Sequence, residues 1–286
     1  MEIVITRGAG FCFGVKRAIE IAFSLSENKK DGIFTYGPLI HNPQVIEKLM
    51  EKGIAPTEDI YRHDIKALII RTHGMSIDLM EKASKAGYEI IDATCPFVKK
   101  AQHYAKLLSE DGYQVLILGD KDHPEVKGLV SYAGEDVIVN DGKGHLPHLK
   151  NRVGIVVQTT QPLEALRKVM GKVIELAKEM KVYNTICSST ALRLEETEEM
   201  ARKTDVMIVV GGKNSANTTQ LANLCIAMPV KTYHVETAAE LVPEWFKDVK
   251  KVGITAGAST PDWIIHAVKE RIKDIGGEQG DGTQKQ

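Results

Sequence analysis

The sequence predicts an α/β protein with mainly parallel sheets, divided into three similar lobes. Three observations lead there. Short β-type runs alternate with helical patterns from end to end, the signature of strands joined by crossover helices. The same order of run, polar turn and helix recurs three times, in units of about 90 residues. Three of the four cysteines, Cys12, Cys95 and Cys187, stand at the same point of each unit, 83 and then 92 residues apart.

The first unit opens with a β-type run over Ile3 to Thr6, a glycine-rich turn carrying Cys12, and a helix from about Val15 to Leu25 with Ala18, Ile19, Ala22 and Phe23 on one face. A strand over Ile33 to Tyr36 follows, then Ile40-His41-Asn42-Pro43, where Asn42 reads as an N-cap and Pro43 as the first helical residue. The helix stops near Gly53; the next strand, Ala67 to Ile70, runs into Thr72-His73-Gly74, and a helix from Ser76 to about Lys85 closes the unit. In the second unit Tyr88 to Ile91 leads to Cys95, and a helix follows with Val98, Ala101, Ala105 and Leu108 on one face. Val115 to Leu118 precedes His123-Pro124-Glu125, and Val153 to Val157 precedes Gln158-Thr159-Thr160 and a helix expected to reach Met180. In the third, Val182 to Ile186 leads to Cys187, Val206 to Val210 to Lys213-Asn214-Ser215-Ala216-Asn217, and Val252 to Thr255 to Ala256-Gly257-Ala258-Ser259. The last helix is expected to end near Lys273, ahead of a polar, glycine-rich tail.

Open α/β sheets bind ligands at the carboxyl ends of their strands. Each unit places three polar loops there: a cysteine loop, a cap loop (Asn42, His123, Asn217) and a loop after a buried strand (His73, Thr159, Ser259). Arranged about a pseudo-threefold axis, these loops would face one cavity. A thiol at a helix N-terminus sits in a positive field that favours thiolate. Three such cysteines fit three buried thiols at a repeat position, zinc held by three Cys and one His, or a [4Fe–4S] cluster with one open iron. Helix N-termini with histidines and hydroxyls suit an anion, and no Walker or dinucleotide fingerprint competes. Glu125 reads either as a first-turn acid complementing the helix dipole or as a general acid raised by its surroundings.

Net charge is −1 from 37 basic and 38 acidic residues, which points away from nucleic acid and membrane surfaces. No apolar run approaches the roughly 20 residues of a membrane span, and the first residues lack a signal-peptide pattern, so a cytoplasmic location is expected.

Taken together, Gly10-Phe11-Cys12-Phe13-Gly14-Val15, Ile40-His41-Asn42-Pro43, Thr72-His73-Gly74, Asp92-Ala93-Thr94-Cys95-Pro96, His123-Pro124-Glu125-Val126, Gln158-Thr159-Thr160, Lys213-Asn214-Ser215 and Thr255-Ala256-Gly257-Ala258-Ser259 resemble the 4-hydroxy-3-methylbut-2-enyl diphosphate reductase family from Met1 to about Lys273. The resemblance implies a three-lobed α/β monomer with a central [4Fe–4S] cluster, one per chain. Its lobes would be 13–95, 96–187, and 1–12 with 188–275; the tail, 276–286, is expected from its composition to be disordered. It implies Cys12, Cys95 and Cys187 as cluster ligands; His41, His73, His123, Thr159, Ser215, Ala216, Asn217 and Ser259 as substrate contacts; and Glu125, Thr159 and His123 as catalytic. The implied reaction reduces the allylic alcohol to isopentenyl and dimethylallyl diphosphate with electrons from ferredoxin or flavodoxin. Rival readings are a redox-neutral hydro-lyase and a zinc-stabilised binding module. The family often has Ser-Ser-Asn where this chain has Ser215-Ala216-Asn217, and differs again after Cys187, where this chain reads Ser188-Ser189-Thr190-Ala191-Leu192-Arg193. Cys225, in an apolar helical stretch, reads as core. His63, His103, His145, His148 and His266 read as surface, His234 as packed, and the charge-rich runs 193–203 and 247–251 as solvated faces.

Overall fold

The computed structural model describes residues 1–28 and 31–281. Three four-stranded sheets, all parallel, carry the chain. The first contains β1 (Glu2–Ile5) and three late strands, so it is best taken last. The second is built from β2 (Ile33–Tyr36), β3 (Ile54–Thr57), β4 (Ala67–Ile70) and β5 (Glu89–Asp92), in the order β3-β2-β4-β5. The third uses β6 (Gln114–Leu118), β7 (Val137–Asn140), β8 (Arg152–Val157) and β9 (Glu179–Tyr183), in the equivalent order β7-β6-β8-β9. With β10 (Val206–Val210), β11 (Lys231–Val235) and β12 (Lys251–Ala256), the remaining sheet runs β11-β10-β12-β1. The N-terminal strand thus fills the place that β5 and β9 fill in the other two. The expected three-lobed α/β architecture is present.

Parallel neighbours need crossovers, and helices supply most of them. They are α1 (Phe13–Asn28), α2 (Pro43–Glu51), α3 (Ile77–Ser84), α4 (Pro96–Glu110), α5 (Pro124–Tyr132), α6 (Leu163–Leu176), α7 (Ser188–Ala201), α8 (Ala216–Ile226) and α9 (Asp262–Asp281). Strands β4, β6 and β10 are buried along their whole length, which is why, apart from Gln114 at the start of β6, they read as unbroken apolar runs. In β6, Val115 and Ile117 meet Ala101, Ala105 and Leu108 of α4 and Val126 and Leu129 of α5. Leu116 and Leu118 face the other way, onto Leu166, Val169 and Val173 of α6. Sheet β11-β10-β12-β1 is likewise covered by α9, through Val268, Ile272 and Ile275, and on its other face by Leu221, Ala222 and Cys225 of α8.

The chain forms two compact units. One comprises Met1–Val15, His41–Val45 and the chain from Ser188 on; the other comprises Lys16–Ile40 and Ile46–Cys187, and holds the β2–β5 and β6–β9 sheets.

Two boundaries differ from the sequence reading. The helix expected to reach Met180 stops at Leu176, because Ala177 is extended and Met180 pairs with Val153 as part of β9. The expected tail from Gly276 is helical as far as Asp281; 282–286 lie outside the described residues. Ile272 and Ile275 are buried and anchor α9, and extension past them needs only one further backbone bond per residue.

The loop after β4 depends on Gly74. Its φ is +78°, and a Cβ there would lie 2.5 Å from Nε2 of the buried Gln102 on α4. Gly74→Ala is therefore expected to destabilise the chain by about 1–3 kcal/mol, read as a shift of the urea midpoint. An unchanged midpoint would show that the loop relaxes freely.

Candidate active site

All three cysteines are anchored alike. Cys95 donates its backbone N–H to Thr72 O (3.0 Å), Cys187 to Thr159 O (2.9 Å) and Cys12 to Ala258 O (3.1 Å). Each acceptor stands two residues beyond the third strand of its sheet, β4, β8 or β12. Each cysteine directly precedes a helix, α4, α7 or α1, and each is half-buried and in no disulfide. The anchors also correct the register read from the sequence: Thr159 corresponds to Thr72 and Ala258, while Thr160 corresponds to His73 and Ser259.

In the unit containing Cys95 and Cys187, His123 caps α5 by accepting Glu125 N–H at Nδ1 (3.2 Å), which leaves Nε2 to carry the ring proton. Its ring meets that of His73 edge-on, with centroids 5.2 Å apart. Glu125 is 1% exposed. Its carboxyl accepts the Thr159 N–H (2.6 Å) at one oxygen and the Thr159 hydroxyl (2.9 Å) at the other. Burial pushes the carboxyl up to about 7, against the pull of both Thr159 bonds toward the ionised form. Thr159 is thus the residue that touches the Glu125 carboxyl, at both of its oxygens.

In the other unit, Asn42 caps α2 through Oδ1 (Val45 N–H, 3.0 Å), as expected. Ser259 Oγ donates to His41 O (3.1 Å), and a Cβ on Gly212 would lie 2.9 Å from the same carbonyl, so the His41 backbone is closely seated. The cap of α8 is Ser215, which accepts the Thr218 N–H (3.4 Å). Asn217, expected as that cap, is instead the second residue of the helix, after Ala216. Asn217 Oδ1 instead accepts the Ala258 N–H (3.0 Å) and Arg193 Nη1 (3.4 Å). The buried Nδ2 atoms of Asn42 and Asn217 have no protein acceptor among the described residues.

The sequence reading missed Arg193. It lies in a run taken as a solvated face, yet it is 3% exposed, and its side chain holds the carbonyls of Gly8 (2.9 Å) and Gly10 (3.0 Å) ahead of Cys12. The signal was the burial phase of α7, which also buries Thr190, Thr197 and Ala201; charged neighbours mask it in the sequence. Cys225 is fully buried, and burial pushes its thiol up to about 12, so it is inert core. His63, His103, His145, His148 and His266 are exposed, and His234 bonds Gly211 O (2.8 Å).

The family model described as LytB protein matches residues 3–273. The 4-hydroxy-3-methylbut-2-enyl diphosphate reductases of Pelobacter propionicus and Geobacter sulfurreducens are each 49% identical to the chain, over 96% of it and 99% and 98% of theirs. A solved (E)-4-hydroxy-3-methyl-but-2-enyl diphosphate reductase, terminal enzyme of the non-mevalonate pathway, is 43% identical with a TM-score of 0.70, covering 96% of this chain and 100% of that one. The E-1-hydroxy-2-methyl-but-2-enyl-4-diphosphate reductase of Plasmodium falciparum is 27% identical with a TM-score of 0.86, covering 95% of this chain and 87% of that one.

The buried Glu125 carboxyl has a consequence for stability. An unfolded glutamate titrates near 4.5 and the folded one near 7. Between those values the native state keeps a proton that the unfolded state has lost, so stability falls as pH rises from about 4.5 and the loss is complete above about 7. Glu125→Gln removes this dependence. Urea unfolding of both proteins at pH 5 and pH 8 is expected to show the wild type losing on the order of 1–3 kcal/mol relative to the variant, at 1.36 kcal/mol per pKa unit. Parallel pH curves would mean that the carboxyl is ionised throughout.

Proposed function

Since the chain belongs to the LytB family, we propose that it reduces (E)-4-hydroxy-3-methylbut-2-enyl diphosphate to isopentenyl and dimethylallyl diphosphate. The observation that carries the reading is Glu125, a fully buried carboxyl bonded twice to Thr159 and titrating near 7. Loss of the allylic hydroxyl as water consumes two electrons and two protons, and a protonated carboxyl is the group the oxygen needs as it leaves.

The proposed cofactor is one [4Fe–4S] cluster held by Cys12, Cys95 and Cys187. The donor set suits it: three half-exposed thiols with the same main-chain anchor and the same place before a helix, and a fourth, Cys225, withdrawn into the core. Bound there, the cluster would supply one-electron transfer and an open Lewis-acid iron. The chain's own residues do the rest. Asn42 and Asn217 each bury an amide donor that lacks an acceptor, and each stands at a helix N-terminus, which suits diphosphate oxygens. His41, His73, His123, Ser215, Ser259 and the α8 N-terminus at Ala216 complete the substrate contacts in this proposal. Thr159 orients the substrate hydroxyl, Glu125 gives it the proton, and His123 holds the Glu125 backbone in place. The three lobes named from the sequence, a monomeric cytoplasmic chain, and ferredoxin or flavodoxin as donor belong to the same proposal. Among the described residues no helix is long and apolar enough to cross a membrane.

Anaerobic purification followed by iron and sulfide analysis, and turnover with a reduced viologen, test this directly. Iron, sulfide and substrate-dependent oxidation of the dye are expected; stoichiometric zinc without iron, or substrate consumed without dye oxidation, would overturn it. Serine at Cys12, Cys95 or Cys187 is expected to lower bound iron, whereas Cys225→Ala keeps it. Glu125→Gln is expected to keep iron and substrate binding while losing turnover by a factor of about a hundred or more. Near-normal turnover would remove Glu125 from the acid role.

A further inference from the structure

The three cysteine loops share their main-chain anchor but differ in length and in what else holds them. Two residues separate β5 from Cys95, three separate β9 from Cys187, and six separate β1 from Cys12. Each of the two short loops carries a side-chain turn of its own. Asp92 Oδ1 accepts the Thr94 N–H (2.9 Å), and Asn184 Oδ1 accepts the Ile186 N–H (3.2 Å). In both, the side chain three residues before the cysteine takes the N–H of the residue just before it. Ala9 occupies that position ahead of Cys12 and has no side-chain acceptor to offer.

Helix α7 holds the long loop instead. Arg193 and Glu196, three apart on one helix face, grip both sides of Gly8. Glu196 accepts its N–H (2.7 Å), and Arg193 Nε donates to its carbonyl (2.9 Å). Arg193 Nη2 donates to Gly10 O (3.0 Å), and Nη1 reaches Asn217 Oδ1 (3.4 Å), which also receives the N–H of Ala258, the residue whose carbonyl anchors Cys12. Gly10 has φ +104°, so the loop it bends is one that other residues rarely adopt, and its inward carbonyls need donors from elsewhere. A planar guanidinium with five N–H groups can hold two carbonyls and an amide oxygen at once; an ammonium cannot span them in that fork.

The same device recurs in the other unit. Arg17, on the helix that follows Cys12, donates to Thr94 O (3.3 Å) and Asp92 O (3.4 Å), the carbonyls just ahead of Cys95. So a helix that starts after one cysteine carries an arginine that holds the loop of another. We propose that Arg193 and Arg17 are the positioning residues of the Cys12 and Cys95 loops. They fix the main chain from which each thiol projects, and Arg193 in addition ties the Cys12 loop to Asn217 at the α8 N-terminus. The metal role of those thiols rests on the reading above; the hold on the loops does not.

The test is crossed. Full-length wild type, Arg193→Met, Arg193→Lys and Arg17→Met are compared without metal by amide hydrogen exchange, and after anaerobic iron and sulfide loading by the electron paramagnetic resonance signal of the reduced protein. Arg193→Met is expected to speed exchange at least about tenfold in residues 8–12 and leave 92–95 unchanged; Arg17→Met does the reverse. The segment around the buried Cys225 stays protected in both. Arg193→Lys keeps the charge but not the fork, and remains fast in residues 8–12. At matched iron content, the resonance signal of Arg193→Met departs from wild type. Unchanged exchange in residues 8–12, equal loosening of both loops, or loss of protection around Cys225 in Arg193→Lys as well as Arg193→Met would overturn the proposal, as would a wild-type signal in the loaded variant. If wild type takes up no iron and sulfide, the cluster assignment fails, and the exchange result alone decides whether the arginines hold the loops.

Discussion

One backbone hydrogen bond governs the functional edge of this protein: the N–H of each cysteine given to the carbonyl two residues past the third strand of its sheet. It follows from parallel pairing. When all four strands of a sheet run one way, their carboxyl ends share one edge, and the segments leaving the third and fourth strands emerge as neighbours there. The ladder has stopped, but those segments still carry donors and acceptors that must be paired. The bond at the cysteine continues the ladder by one link. It also starts a helix, so the thiol emerges where unpaired N–H groups concentrate positive potential. Sequence places a cysteine at that link three times; topology makes the three links equivalent.

Glu125 shows which of two opposed effects decides a proton's position. Its carboxylate form would gain two hydrogen bonds from Thr159, each to a charged acceptor and so worth about 1.5–3 kcal/mol. Against that stands desolvation of a side chain that is 1% exposed, which costs several kcal/mol for an ion. Burial prevails, and the carboxyl rises to about 7 instead of falling below 4.5. The Thr159 bonds keep it from rising further. The outcome is a carboxyl near the midpoint of its titration at neutral pH, where a group can both give and recover a proton.

What could be read from the sequence was what repeats. Buried central strands such as Ala67 to Ile70 and Val206 to Val210 are apolar throughout and need no partner to be recognised. The caps at Asn42 and His123, each followed by proline, announce their helices. What could not be read depended on contacts between distant segments. Arg193 sits among glutamates and looks solvated; only the carbonyls of Gly8 and Gly10, some 185 and 183 residues away, make it a buried group. Asn217 resembles a cap, but Ser215 lies two residues earlier and Asn217 is occupied by Ala258. Met180 carries on a helical pattern, yet pairing with Val153 outweighs local preference.

The use of β1 in the last sheet accounts for the unequal cysteine loops. In the other two sheets the fourth strand follows a helix that has just crossed the sheet, and a turn of two or three residues suffices to reach the cysteine. β1 pairs with β12 from Glu2 to Ile5, and the segment after it must still arrive at the position beside Ala258 before α1 begins. It does so over six residues, turning at Thr6 to Ala9 and again at Gly10. A segment that long gains little from a single side-chain turn. Ordering it costs roughly 1–2 kcal/mol per residue in backbone entropy, and bonds from a neighbouring rigid element must offset that cost. Helix α7 is such an element in the same unit, and Arg193 and Glu196 are the residues it turns toward the loop. The arginine is therefore a consequence of topology: the cysteine loop that leaves β1 is the longest of the three and carries no side-chain turn of its own.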